Sequence, residues 1–170
     1  AIIWADSRST EQIAQVLSQT DNQELSQHAP GAPAAGFMAA TLMWLKANEP
    51  ETLKRMVAVT PPKDYVRLQM TGEIATDVSD AAGTWLFDIA QGDWSDWLLN
   101  LCGLERDYMP SVIQSVDVAG ELLPSAAEQL GLPAGIPVVA GCADQPAQML
   151  GYGLYEPGFA LTTIGTGGQV

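Results

Sequence analysis

Asp144 is the residue of this sequence best placed to do chemistry. It follows the apolar run Ile136-Pro137-Val138-Val139-Ala140-Gly141, which reads as a buried strand. It precedes Pro146, which suits the first turn of a helix running to Gly151. Open α/β sheets bind ligands at the carboxyl ends of their strands. A helix N-terminus favours negative charge, and a carboxylate there can accept a proton from a hydroxyl group. The alternative for the same residue is a plain helix cap. A second candidate is Gly165-Thr166-Gly167-Gly168, after a strand predicted over Phe159 to Ile164. Closely spaced glycines let a backbone approach a ligand, and successive N–H groups can form an anion nest, to which Thr166 adds a hydroxyl donor. The run matches neither the P-loop nor the dinucleotide fingerprint, and a tight hairpin without a ligand is its alternative.

Other polar residues weigh less. His28, the single histidine, lies in a Pro/Gly-rich stretch with no nearby Cys or Asp partner, so solvent exposure or packing is expected of it rather than catalysis. Asp77, Ser79 and Asp80 could offer oxygen ligands to a cation, but a polar turn closed by Asx-type hydrogen bonds is the preferred reading. Cys102 and Cys142 form neither a disulfide framework nor a zinc pattern. Cys142 reads as a buried small hydrophobe, and a reduced, cytosolic setting fits both.

The elements that must position these residues are mostly helices. Ala1 to Trp4 reads as a short buried strand. Ser9 stands three residues before Gln12 at capping-box spacing, and Ile13, Val16 and Leu17 give one apolar helical face. His28 to Gly36 is loop. Ala39 to Leu45 is an apolar helix that stops before Pro50, and Pro50 opens a short helix with Leu53 and Met56-Val57 inward. Pro61-Pro62 opens a helix over Asp64 to Met70 that ends at Gly72. Gly72 to Thr84 is polar and turn-rich, and Trp85-Leu86-Phe87 is an apolar patch. Asp93 or Ser95 caps a helix carrying Trp97, Leu98 and Leu101, closed by Gly103. Val112 to Val118 reads as a strand and Ser125 to Leu130 as a helix ended by Gly131. The five tryptophans are expected in the core. The mixture is α/β.

The 170 residues suffice for one domain, and the 47% hydrophobic content excludes a disordered chain. Twenty acidic against seven basic residues leave a net charge of −13, which repels phosphate backbones and anionic lipid. Neither a nucleic-acid partner nor a membrane is expected, and no apolar run reaches the ~18 residues of a membrane span. Both ends read as cut, so a piece of a longer protein is expected.

Taken together, these motifs resemble the FGGY carbohydrate kinases, and among them the bacterial xylulokinases. Trp4-Ala5-Asp6-Ser7-Arg8 resembles a W-x-D-x-R stretch, and Leu42-Met43-Trp44-Leu45 with Glu49-Pro50 resembles an LLWL…EP helix. The most specific match is Pro62-Lys63-Asp64-Tyr65-Val66-Arg67 followed by Thr71-Gly72-Glu73, Thr76-Asp77, Ser79-Asp80-Ala81 and Gly83-Thr84. Leu86-Phe87-Asp88 and Trp94-Ser95 continue it, so the likeness covers essentially the whole chain.

The resemblance implies a ribonuclease-H-like fold of the actin, hexokinase and Hsp70 ATPase type, with residues 1–170 as an incomplete N-terminal, sugar-binding domain. A first phosphate loop would lie upstream and a nucleotide domain downstream. It implies ATP-dependent phosphorylation of D-xylulose, or another pentulose, with Mg²⁺ as the accompanying ion. Asp144 would be the catalytic base, and Asp144, Gln145 and Phe37 would contact the sugar. Gly165, Thr166, Gly167 and Gly168 would meet the ATP phosphates. A homodimer is a further expectation. Gln145 stands where xylulokinases more often have Asn and is the glycerol-kinase choice, so a kinase for glycerol, another polyol or a ketose is the alternative. A non-catalytic sugar-binding module is the alternative of another class.

Overall fold

The computed structural model describes residues 2–29, 31–164 and 168–169. Its core forms where α1 (Thr10–Gln19), α3 (Met38–Asn48) and α7 (Asp96–Cys102) meet. Val16, Leu42, Leu86 and Leu98 are fully buried there, together with Trp85, Phe87 and Trp94. The start of α7 follows from Ser95, whose Oγ accepts the Leu98 amide at 3.3 Å, and Gly103 ends it in the left-handed conformation. α2 (Asn22–His28), which sequence periodicity missed, is capped by Asp21 and buries Leu25. At seven residues it is too short to show a helical repeat. α4 (Pro50–Lys54) packs on α3.

A second group of elements carries the candidate site. α5 (Pro62–Thr71) has proline in its first turn and a left-handed Gly72 as its C-cap, as the sequence predicts. The stretch read as polar turn instead forms β1 (Ala75–Asp77) and α6 (Val78–Ala82). Its polar side chains are what make this possible, because Asp77 accepts the Ser79 and Asp80 amides and so starts α6 at the end of β1. β2 (Phe87–Asp88) and β3 (Asp93–Trp94) make a small antiparallel pair, and β1 pairs in parallel with β4 (Ser111–Ile113). β5 (Val118–Glu121) runs antiparallel to β6 (Pro137–Val139), with α8 (Pro124–Leu130) between them in sequence. The predicted strand over Val112 to Val118 is thus two strands joined by a turn. Gly120 is required here, since a Cβ at this position would stand 2.9 Å from the Thr71 side chain on α5. α9 (Asp144–Gly151) follows β6, and β7 (Thr163–Ile164) pairs with β8 (Gly168–Gln169).

Several expectations are corrected. The strand at Ala1 to Trp4 is absent over the described residues 2–4. Ile3 and Trp4 enter a turn instead, and Trp4 is 75% exposed, so it is not a core tryptophan. The Asp6 amide donates to the Ile3 carbonyl, and the Arg8–Asp6 ion pair closes the turn at 2.8 Å. Leu17 and Val57 are exposed, the apolar face of α1 being shared by Val16 with Gln12. β6 is not a buried strand. Val139 is 53% exposed, because β5 is its sole strand partner among the described residues. Phe159 is exposed and the strand there is confined to Thr163–Ile164. Among the described residues no helix is long and apolar enough to cross a membrane.

Candidate functional site

Asp144 occupies the first position of α9, two turns of helix behind it and the end of β6 five residues before. The helix begins two residues earlier than predicted. Pro146 falls in its first turn, where a missing N–H costs nothing. Asp144 is not the cap, since Ala143 takes that place and no side chain closes the helix start. The Asp144 Oδ1 accepts the amide of Gln145 at 2.7 Å, and its side chain is otherwise open to solvent. Gln145 is half-buried beside it. The arrangement leaves an acceptor carboxylate free to meet a hydroxyl group.

Beneath this helix start lies a network of charges, in which the sequence singled out Asp77 and Asp80 as site candidates but not Lys63, Asp64 and Arg67. On α5, Arg67 falls one helical turn after both Lys63 and Asp64, which brings it beside them. Lys63 Nζ lies 2.7 Å from Asp64, 3.0 Å from Asp77 and 3.2 Å from Asp80. Arg67, 4% exposed in its side chain, pairs with Asp64 at 2.9 Å. Both cations also donate to the Ala140 carbonyl at 3.1 Å, and Arg67 donates to the Ala75 carbonyl as well. Buried charges persist when paired, and each of these is, with Asp64 Oδ2 and Arg67 Nε the atoms left without a hydrogen-bond partner. The signal was present in the charged residues of the Pro62–Arg67 run, but only their helical phase against a distant turn reveals what they hold.

Asp77 is the hub of this network. Its carboxylate accepts Ser79 Oγ at 2.5 Å, Ser115 Oγ at 2.7 Å and the Ser79 amide at 2.9 Å, besides the Lys63 ammonium. Burial disfavours its charge, but the hydrogen bonds from Ser79, Ser115 and Lys63 prevail and hold its pKa down to about 2. Asp80 goes the other way, because burial raises it more than Lys63 lowers it. For Lys63, burial is outweighed by its bonds to Asp64 and Asp77, and its pKa rises. The Asp77-Ser79-Asp80 group therefore keeps the expected Asx-type hydrogen bonds, but as the capped start of α6 rather than a turn, with the Lys63 ammonium beside it. Among the described residues no three His, Cys, Asp or Glu side chains are grouped to hold a metal ion.

The remaining candidates are placed as follows. Phe37 is the N-cap residue of α3, half-buried against the helical core. Gly165, Thr166 and Gly167 lie outside the described residues. Gly168 begins β8, its backbone in register with Ile164 of β7. His28 is exposed at the end of α2 and stacks on Trp97, ring centroids 4.6 Å apart, which is the packing role expected of it. Cys142 is half-buried rather than buried, two residues before Asp144.

Comparison with known proteins places this geometry. The model of the FGGY family of carbohydrate kinases, N-terminal domain, matches residues 1–151. The chain is 39% identical over 168 residues to a xylulose kinase of Escherichia coli strain K12, covering 99% of this chain and 34% of that protein. It is 40% identical to a xylulose kinase of Klebsiella pneumoniae over 169 residues, with the same coverage. Among solved structures it is similar to a xyloylose kinase from Brucella ovis, with a TM-score of 0.85 at 34% identity, covering 98% of this chain and 34% of that one. The chain thus spans about a third of the length of the curated relatives it matches. The mixed helix and strand architecture is that of the actin- and hexokinase-like ATPases, and this chain belongs to the FGGY family of carbohydrate kinases.

Proposed function

We propose that this chain is the sugar-binding part of an ATP-dependent kinase that phosphorylates D-xylulose to D-xylulose 5-phosphate. The observation that carries the reading is Asp144, a solvent-accessible carboxylate fixed at the start of α9 beyond the end of β6. The likeness to xylulose kinases along 99% of the chain supports the choice of sugar. Asp144 would take the proton from the attacking hydroxyl as it bonds to phosphorus. A carboxylate within ~3 Å both orients that hydroxyl and relieves it of its proton. Gln145 and Phe37 would contact the sugar.

ATP would donate its γ-phosphoryl group, and the turn at Gly165 to Gly168 would meet its phosphates. Mg²⁺, bound largely through those phosphates, would neutralise charge. The described residues provide no cage of their own for that ion, the acidic cluster at Asp77 being filled by Lys63. The isolated segment, a third of the length of its relatives, would not turn over, and a cytoplasmic setting belongs to the same reading.

A kinase for glycerol or another polyol is the second reading, favoured by Gln145. ADP release by the complete kinase separates the two, with kcat/KM highest for D-xylulose among D-xylulose, L-ribulose and glycerol. A clearly higher value for glycerol would replace the xylulose assignment. Asp144→Asn is expected to lower kcat by about 10²–10⁴-fold while sugar binding stays measurable by calorimetry. Retained turnover in that variant would overturn the base assignment.

A further inference from the structure

We propose that Ser79 is a positioning residue for Asp144, acting from the buried carboxylate of Asp77 through the backbone that leads into α9. The inference rests on reading Asp144 as the base. The Asp144 side chain accepts one hydrogen bond within the described residues, from the amide next to it. Its place is therefore inherited from the backbone that precedes it. That backbone is held at three of its four residues between Ala140 and Ala143. The Ala143 amide donates to Ser79 Oγ at 2.8 Å. The Gly141 amide donates to the Ser115 carbonyl at 3.0 Å. The Ala140 carbonyl accepts both Lys63 and Arg67.

All of these holds but that of Arg67, which pairs with Asp64, lead back towards one side chain. A serine hydroxyl has a single proton and two acceptor lone pairs. Ser79 spends its proton on Asp77 at 2.5 Å, so its oxygen can meet the Ala143 amide only as an acceptor. Ser115 likewise gives its hydroxyl proton to Asp77 while its carbonyl takes Gly141. Lys63 bridges Asp77 and the Ala140 carbonyl. Asp77 is wholly buried and lies at the N-terminus of α6, whereas α9 buries none of its residues. Ser79 joins this fixed point to the peptide immediately before Asp144. A displacement of about 1 Å in a positioned reacting group can cost about a hundredfold in rate, so a shift of the helix start would register in turnover.

The test uses the complete kinase. Ser79→Ala is expected to lower kcat about 10- to 100-fold while the KM for the sugar stays within about twofold. Ser79→Thr, which keeps the hydroxyl, should recover most of the loss. Hydrogen exchange without substrate should show the Ala143 and Asp144 amides opening about tenfold faster in Ser79→Ala, with α1, α3 and α7 unchanged. Ser115→Ala removes one bond to Asp77 but leaves its own carbonyl on Gly141, so a smaller fall of about threefold is expected. If Ser79→Ala does not fold, the outcome in Ser115→Ala and the exchange at Gly141 decide. An unchanged kcat and unchanged exchange in the folded variants, beside an inactive Asp144→Asn, would overturn the positioning role alone. An active Asp144→Asn would overturn the base reading on which it rests, and the two failures are told apart by that variant.

Discussion

Asp77 keeps its charge in surroundings where burial works against it. Its ordinary pKa of 3.8 falls to about 2 because Ser79, Ser115 and Lys63 all donate to it. The folded state thus binds this proton more weakly than the unfolded chain does. The resulting stabilisation is complete above the ordinary value and is lost as the pH falls from about 4 to about 2. Asp80 has the opposite sign. Burial raises its pKa, so its contribution favours folding at low pH and is lost as the pH rises through the raised value. Acid unfolding of the complete kinase, followed by circular dichroism, checks both. Asp77→Asn should lower stability at neutral pH and flatten the profile between about pH 4 and 2, whereas Asp80→Asn should raise stability at neutral pH. Equal effects of the two substitutions would contradict this account.

The helices that hold the core can be tested by truncation of a single buried side chain. Leu98 on α7 is fully buried among Val16, Leu42 and Leu86, and Leu98→Ala should cost about 2–5 kcal/mol in denaturant unfolding. A cost under 1 kcal/mol would mean that the α1–α3–α7 junction collapses to fill the space. Elements with local punctuation were legible from the sequence. α5 and α8 have proline in the first turn and glycine at the end, and α7 has Ser95 and Gly103. Elements defined by distant partners were not. β1 and β4 are three residues each and pair across the whole of α6, β2, β3 and α7, so neither shows an alternation of its own. Asp144 stood out because a strand, a turn and a proline bracket it. Its supports did not, because Lys63 meets Ala140, and Ser79 meets Ala143, only through the fold.

At the scale of the whole chain, the faces of the molecule differ in kind. The core side is closed by helices, while Leu130, Leu132, Ile136, Val139 and Leu150 on and around α8, β6 and α9 are exposed. That exposure is consistent with a chain that spans about a third of the length of its curated relatives. A polypeptide limited to these 170 residues should accordingly release no ADP above background with D-xylulose and ATP, and measurable turnover would remove the need for the rest of the kinase. The two cysteines divide along the same line. Cys102 is buried in α7, and its thiol is pushed up to about 12 by desolvation, whereas Cys142 is half-buried in the turn before Asp144. Thiolate is the form that attacks alkylating reagents. The molecule therefore carries, without engineering, one silent thiol and one attachment point for a spectroscopic label at the edge of its candidate site.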